Sequence, residues 1–478
     1  MLTDLYQITM AHAYWHAGLC TTEACFHLYY RSNPFKGGFA IACGLGPAIE
    51  YLRTLHFSDE DVAYLATLTG ADGAPLFGPE FLAWLRDFRF TCDVMAVPEG
   101  TVVFPNEPLL RVTGPIVECQ LVETTLLNLI NFQTLVATKA ARVCAAAQGD
   151  PVIEFGLRRA QGPDGGLSAS RAAYVGGCVA TSNVLAGERF GIPIGGTHAH
   201  SWVMAHDSEL ESFHAYAEAM PNNVVFLVDT YDAIEGVRNA ITAGLRLRER
   251  GHELVGIRID SGDLAWLSRR ARELLDEAGF PGAKIYASNE LDEHTIDSLK
   301  EQGARIDVWG VGTKLATAYD QPALGGVYKL SAIRRPGEEW VPRVKVSEQA
   351  AKITTPGLLR VRRFSDETGR FSGDMIYDEL HPPGETCVMV DPLDATRRTS
   401  YCGTHQAEEL LVPVFLGGMC VYDEPLDASR ERTLAQIDRL DPSHLRFLNP
   451  HVYKVGVELG LHERKTALIL KARGLTAP

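Results

Sequence analysis

The sequence predicts an α/β protein whose middle part is an irregular TIM-like α/β barrel, and three observations point there. From Pro151 to about Leu330, short apolar runs alternate with stretches of helical periodicity, the pattern of parallel strands joined by helical crossovers. Runs such as Val224 to Val228 are continuously apolar, as suits strands covered on both faces. Each run also ends in a cluster of glycine and polar residues, which is where a barrel carries its site. A doubly wound open sheet is the competing architecture, since it too binds ligands at strand C-termini. The barrel is favoured because many strands, rather than one crevice, end in reactive residues.

Taken in order, Pro151 to Ile153 leads to Glu154-Phe155-Gly156-Leu157-Arg158-Arg159, and Ile192 to Ile194 leads to Gly195-Gly196-Thr197-His198-Ala199-His200-Ser201. Val224 to Val228 leads to Asp229-Thr230-Tyr231-Asp232, and Leu254 to Ile259 leads to Asp260-Ser261-Gly262-Asp263. Lys284 to Ala287 leads to Ser288-Asn289-Glu290, and Ile306 to Trp309 leads to Gly310-Val311-Gly312-Thr313-Lys314. Between them, Ile234, Val237, Ile241 and Leu245 share one helical face, and Leu264, Leu267, Ala271, Leu274 and Ala278 share another, with Gly279 as a C-terminal cap. A short helix is expected around His294 to Gln302. Residues 136–348 are therefore expected to form the barrel. Residues 1–135 form an N-terminal domain, with an antiparallel β segment near Val97 to Phe104 and one or two buried helices over Ile116 to Val143. Residues 349–478 form a C-terminal region that returns to short strands, with one late helix through Leu434, Ile437 and Leu440, and packs back on the N-terminal domain.

Composition narrows the function classes. The chain has 478 residues, 46% hydrophobic and 22% charged, enough for a large core without disulfide or metal staples. A net charge of −15 with no long basic run argues against a nucleic-acid partner, whereas small phosphorylated ligands can still be held by local arginines and backbone amides. The ten cysteines are dispersed and contain no CxxC pair, which reads as a reducing compartment. No signal-peptide pattern opens the chain, and no apolar stretch approaches the roughly 20 residues of a membrane span. A cytoplasmic protein without a membrane partner is expected.

Several residues carry the chemistry. Gly310-Val311-Gly312-Thr313 follows a strand late in the series, where glycines let a phosphate approach backbone amides and Thr313 adds a hydroxyl. Asp229 and Asp260 offer carboxylates for ribose hydroxyls, directly or through Mg²⁺, while Asp232 and Asp263 are placed to cap the following helices. Arg258 alternates with Ile257 and Ile259 and so points into the barrel, where it needs an anion or an ion pair with Asp260 or Glu154. Arg158 and Arg159 add positive charge near the same face. His200 is a candidate nucleophile or acid–base group; His198, His206 and Asp207 leave a weaker metal reading open. Phe155 and Tyr6 suit stacking on a flat heteroaromatic ring, or ordinary packing. Lys345 and Lys352 are polyphosphate ligands or solvated charges.

Leu2-Thr3-Asp4-Leu5-Tyr6-Gln7, Glu154-Phe155-Gly156-Leu157-Arg158-Arg159-Ala160-Gln161-Gly162, Gly196-Thr197-His198-Ala199-His200-Ser201, Asp260-Ser261-Gly262-Asp263 and Gly310-Val311-Gly312-Thr313 together resemble the nicotinate phosphoribosyltransferase family, in order and over nearly the whole chain. The resemblance implies a type II phosphoribosyltransferase fold, a barrel with a smaller α/β domain built from both chain ends, and a homodimer sharing its active sites. It implies that nicotinate, phosphoribosyl pyrophosphate, ATP and water give nicotinate mononucleotide, pyrophosphate, ADP and phosphate, with Mg²⁺ and ATP required. His200 then matches a transiently phosphorylated histidine; Asp260 stands with it as a catalytic residue, and Asp229 and Asp260 resemble ribose and magnesium contacts. Phe155 matches a residue stacked on the pyridine ring, and Tyr6 one that reaches in from the partner subunit. Arg158, Thr197 and Arg258 match nicotinate contacts, and Asp229, Gly312 and Thr313 phosphoribosyl contacts. His198 falls where variety is expected.

Three rivals stand beside this reading. A nicotinamide-specific relative shares the barrel and the histidine, but the Leu157-Arg158-Arg159 and Gly-Thr-His-Ala-His-Ser wording is closer to the acid-specific branch. A catalytically silent homologue conflicts with intact His200, Asp260 and Thr313. A phosphate-binding barrel lyase needs a Schiff-base lysine, which no strand end clearly offers.

Overall fold

The computed structural model describes residues 1–349, 352–402 and 406–475, in two compact units. One comprises Val136–Pro322, and the other joins Met1–Leu135 to the chain from Ala323 onward.

The central unit is built on six parallel strands: β1 Val152–Glu154, β2 Ala180–Thr181, β3 Val225–Leu227, β4 Gly256–Ile259, β5 Lys284–Asn289 and β6 Val308–Val311. Their order in the sheet is β2-β1-β6-β5-β4-β3. The last strand thus pairs with the first, Val311 lying opposite Glu154, and the sheet curls back on itself as a barrel must. Ile194 continues the ring through a single parallel bridge to Thr181. Strands β3 and β6 are buried at every position, in keeping with apolar runs covered on both faces.

The crossover helices start where their sequence signals put them, but the buried face of the first is shifted from the expected one: Leu245 is exposed, and small residues rather than Ile241 and Leu245 pack inward. Asp232 accepts the Glu235 N–H at 2.8 Å to start Ala233–Glu249, and Asp263 accepts the Trp266 N–H at 3.0 Å to start Leu264–Glu277, each fixing an otherwise unpaired donor. Val237, Ala240, Ala243 and Leu247 are the buried stripe of the first helix. Helix Glu293–Glu301 is capped by Asp292. That carboxylate also takes Lys314 Nζ at 2.6 Å; the backbone and ion-pair hydrogen bonds outweigh the opposing effect of burial and pull its pKa to about 2. Completely buried Lys139 is ion-paired to Glu293 and Asp320, each at 2.6 Å, so it offers no free amine for Schiff-base chemistry.

Two expectations need correction here. Residues 192–194 form one bridge rather than a strand; Pro193 has no N–H to give a ladder, and only its carbonyl bonds, to the Thr181 N–H at 3.0 Å. The strand in that part of the barrel is instead the two-residue β2, too short to leave a periodic signal. The barrel was also expected to run to residue 348, but the central unit ends at Pro322. Strand Gly326–Arg334 pairs antiparallel with Glu23–Tyr30, so the apolar residues after Leu324 belong to the other unit's core.

That second unit carries a seven-stranded sheet whose central strand is Leu110–Pro115, paired with Glu23–Tyr30, and a six-stranded sheet formed by the C-terminal part of the chain. Its C-terminal part meets its N-terminal part where a buried ion pair donates to the Val102 carbonyl. Arg363 and Asp374 meet at 2.6 Å, both wholly buried; Arg363 also donates to the Val102 carbonyl, and Tyr453 donates to Asp374. With all three guanidinium nitrogens hydrogen-bonded, such a pair fixes register more than it adds stability. Strand Val102–Val103 and helices Ile116–Leu121 and Glu123–Ala147 lie where the periodicity puts elements, and the late helix is Leu426–Asp438. A final helix, Leu459–Ala472, was not anticipated. Lys345 and Lys352 are exposed. No helix among the described residues is long and apolar enough to cross a membrane.

Each unit contains a buried histidine that accepts a backbone N–H and must therefore be neutral. His27 Nε2 takes Leu359 N–H and His198 Nε2 takes Leu227 N–H, both at 3.1 Å. Burial, helped by the Arg111 guanidinium, holds His27 well below its ordinary value. Burial outweighs the opposing Ala199 carbonyl and, with smaller contributions from Arg258 and His200, brings His198 down to about 4. Below an unfolded pKa of about 6.5 the unfolded chain binds protons that the folded one refuses, so stability falls as pH drops. For His198 the loss completes near pH 4 and amounts to roughly 3 kcal/mol. Urea midpoints measured from pH 7.5 to 4.5 should decline steadily below 6.5; a flat profile over that interval contradicts neutral burial.

Candidate active site

The C-terminal ends of the barrel strands bring the predicted residues together through a continuous set of contacts. Arg258, on β4, is their centre. Its Nε donates to Ser288 Oγ at 2.7 Å, Nη1 to Thr197 Oγ1 at 3.0 Å and Nη2 to Asp260 Oδ1 at 2.8 Å. The ion pair with Asp260 envisaged from the sequence is thus present, and the one with Glu154 is not: Glu154 instead accepts from Thr181, Ser170 and the Gly156 N–H. Three of the five guanidinium N–H groups are used, which leaves donors for a ligand anion. Burial acts to raise the Asp260 pKa, but hydrogen bonds from Ser288 and Arg258 and the Arg258 charge hold it below the ordinary carboxylate value.

His200 opens the short helix His200–Met204. Its Nδ1 lies 3.2 Å from Thr230 Oγ1 and its Nε2 3.8 Å from Asp260 Oδ2, so one nitrogen is oriented by a hydroxyl while the other faces a carboxylate across a gap. The side chain is 40% exposed, open to a ligand. Asp229 reaches the same place from β3; its Oδ2 accepts Asp260 N–H at 2.8 Å and Ser261 Oγ at 2.6 Å. Its buried Oδ1 has no hydrogen-bond partner among the described residues, an uncompensated oxygen of the kind that a cation or sugar hydroxyl satisfies.

Phe155 follows β1 and lies beneath Arg258, whose guanidinium carbon is 5.5 Å from the ring centre. Its N–H donates to Val311 O at 2.8 Å, which ties it to the Gly310–Thr313 turn. A Cβ on Gly310 would stand 2.6 Å from the Phe155 ring, and one on Gly156 would stand 2.8 Å from the Gly312 carbonyl. These two glycines therefore let the aromatic residue and the glycine turn share one space. Gly310→Ala should displace the ring and weaken binding of a flat aromatic ligand there by roughly 10-fold, at a stability cost of about 1–3 kcal/mol; unaltered binding would show that the ring position does not matter. Gly312 and Thr313 stand at the start of helix Thr313–Ala316.

His200, Asp260, Arg258, Thr197, Asp229, Phe155 and the turn that holds Gly312 and Thr313 are thus linked by a chain of contacts. Arg158 is exposed on the Leu157–Arg159 turn, beside the site in sequence but without a share in this network. Tyr6 belongs to the other unit, 47% exposed on helix Leu5–His16. Sequence reasoning did not single out Ser288, Thr230 or Glu154 as site residues. Only Glu154 carried a signal, a charge inside an apolar run. His198, His206 and Asp207 do not form a metal site: no cluster of three or more metal-binding side chains occurs among the described residues.

The comparisons agree over the full length. Nicotinate phosphoribosyltransferase families match in three segments, an N-terminal domain over residues 1–131, the central family over 151–346 and a C-terminal domain over 360–465. Nicotinate phosphoribosyltransferase of Bacillus subtilis is 47% identical, over 95% of this chain and 91% of its own. Nicotinate phosphoribosyltransferase 2 of Arabidopsis thaliana is 38% identical, over 97% and 93%. Among solved structures, human nicotinic acid phosphoribosyltransferase superposes with a TM-score of 0.86 at 33% identity, covering 98% of this chain and 100% of that one. A nicotinate-nucleotide pyrophosphorylase from Pyrococcus furiosus, 22% identical with a TM-score of 0.68 over 91% of this chain and 94% of its own, shares the fold. This chain belongs to the nicotinate phosphoribosyltransferase family of enzymes.

Proposed function

We propose that the protein joins nicotinate to phosphoribosyl pyrophosphate and couples the transfer to ATP through transient phosphorylation of His200. The observation that carries this reading is the convergence of Arg258, Phe155, His200 and the Gly312-Thr313 turn at one barrel mouth. The pyridine ring lies on Phe155, and its carboxylate takes the N–H groups of Arg258 left without protein acceptors, with Thr197 beside them. Gly312 and Thr313 hold the ribose phosphate, as backbone amides at a glycine turn do. The ring nitrogen then attacks the anomeric carbon, its lone pair forming the N-glycosidic bond as the C–O bond to pyrophosphate breaks with its electrons. Positioning the ring and stabilising the departing charge supply most of the acceleration.

Thr230 orients the His200 ring by accepting from Nδ1–H, which leaves Nε2 with its lone pair toward the mouth. That nitrogen takes the terminal phosphoryl group of ATP with release of ADP; hydrolysis later frees phosphate and restores the ring. Asp260, 3.8 Å from Nε2, stabilises the ring when it is cationic. The unpaired, buried Asp229 Oδ1 fits Mg²⁺, which binds through one or two carboxylates plus substrate phosphates. Asp229, with Asp260 near it, would hold the ion, and it would supply charge compensation to the pyrophosphate. Tyr6, and Arg158 as a further nicotinate contact, complete the reading; a homodimer brings the partner subunit's Tyr6 to each site, in the cytoplasm where these substrates occur.

The test is a product assay. Purified protein given phosphoribosyl pyrophosphate, Mg²⁺ and either nicotinate or nicotinamide should form the mononucleotide of the acid, faster with ATP. Preference for nicotinamide would move the chain to the amide-specific activity. Retained phosphoribosyl pyrophosphate binding without turnover would make it a silent homologue.

A further inference from the structure

His198 is the least expected side chain in the barrel. It is 8% exposed and sits among the rings of Tyr216, Phe213 and Phe226, at centroid distances of 4.9, 6.1 and 6.4 Å. An imidazole in an aromatic cluster is costly unless its nitrogens are used. Here both are: Nδ1 lies 3.4 Å from the Ala199 carbonyl, and Nε2 accepts the Leu227 N–H at 3.1 Å.

The second bond falls at a particular place in the ring of strands. β3 pairs with β4 on one side, where Val228 N–H reaches the Arg258 carbonyl at 3.1 Å. Successive amides point to opposite sides of a strand, so the Leu227 N–H faces the segment that follows Ile194. That segment continues the ring from β2 through the Thr181–Ile194 bridge, and it carries no ladder to β3 among the described residues. The His198 imidazole provides the acceptor across this seam. On its near side lie Thr197, which takes Arg258, and His200. On its far side β3 runs into Asp229 and Thr230, and Thr230 orients His200.

We infer that His198 is a positioning residue: its Nε2 pins the loop bearing Thr197 and His200 to the strand end bearing Asp229 and Thr230, and thereby sets the aim of His200. The inference rests on the assignment of His200 above. It does not make His198 a group that touches substrate.

Three variants separate this role from mere packing. His198→Phe keeps a ring among the aromatic residues and removes the acceptor. His198→Gln places an amide oxygen near the Nε2 position, and His198→Asn stops short of it. With nicotinate, phosphoribosyl pyrophosphate and ATP, His198→Phe should lose kcat by roughly 10- to 100-fold, the scale of a misplaced reacting group. It should also consume more ATP per mononucleotide formed, and exchange its Leu227 amide hydrogen faster than the unmodified protein. His198→Gln should recover most of the rate and coupling, and His198→Asn should not. Wild-type kcat and coupling in His198→Phe would overturn the inference. If that variant does not fold, equal activities of the Gln and Asn variants would overturn it instead. His200→Ala, assayed in parallel, separates the two claims. Unchanged ATP dependence there defeats the phosphohistidine reading, while the Phe-against-Gln comparison of kcat still decides the role of His198.

Discussion

His200→Ala is expected to abolish ATP coupling while leaving slow, ATP-independent formation of nicotinate mononucleotide. The ring is the group at the mouth with a nitrogen oriented by Thr230 and a second nitrogen opposite Asp260, whereas the proposed nicotinate and phosphoribosyl contacts lie on other residues. The variant should therefore still bind both substrates. It should run at the ATP-independent rate, roughly 10²-fold below the coupled one, as expected when transition-state interactions are lost and binding groups are kept. Because the side chain is 40% exposed, stability should change by less than about 1 kcal/mol. Rates with and without ATP, read by chromatography of the mononucleotide, check this directly. A variant that still responds to ATP as the unmodified protein does rules out the phosphohistidine.

The second large effect concerns Arg258. Its three protein hydrogen bonds hold Ser288, Thr197 and Asp260 in one arrangement, and its remaining N–H groups are the nicotinate carboxylate's partners in the proposed site. Arg258→Gln removes the charge and strands the Asp260 carboxylate. Truncating one member of such a charge pair costs about 2–5 kcal/mol, so kcat/KM for nicotinate should fall by roughly 10²- to 10³-fold. Nicotinamide lacks the carboxylate, and its slower reaction should lose less, by about 10-fold in the ratio of the two kcat/KM values. Equal losses for acid and amide would mean that Arg258 supports the site without reading the carboxylate.

The sequence carried the barrel because each strand needs cover on two faces and each helix needs a cap. Val225 to Leu227 is buried throughout, and Asp232 and Asp263 cap where an Asp-x-x-Asp pattern precedes a helix. The misses have physical reasons as well. β2 is two residues long, and the Ile192 to Ile194 run is apolar without being a strand because proline cannot join a ladder. Strand Gly326–Arg334 looks like one more barrel strand until its antiparallel partner Glu23–Tyr30 is known; nothing local distinguishes the two fates. In the site, Arg258 stood out because a charge inside an apolar run is expensive, Asp260 as a carboxylate directly after that run, and His200 as an imidazole in a glycine-led turn after an apolar run. Ser288 and Thr230 did not, since a hydroxyl beside a strand end is ordinary until an arginine or imidazole is found against it. The role of His198 was hidden for another reason. Its partner is a backbone N–H 29 residues away, and backbone groups leave no mark on sequence.

The central claim is that the loops after β1, β4 and β6 and the His200 loop form one ligand mouth. Amide hydrogen exchange with and without saturating nicotinate mononucleotide tests it most directly. The account predicts joint protection of peptides spanning Glu154–Arg159, Gly196–Ser201, Arg258–Asp263 and Gly310–Lys314, with no comparable protection on the opposite ends of the same strands. Protection confined to one of these segments, or centred elsewhere in the molecule, would contradict it.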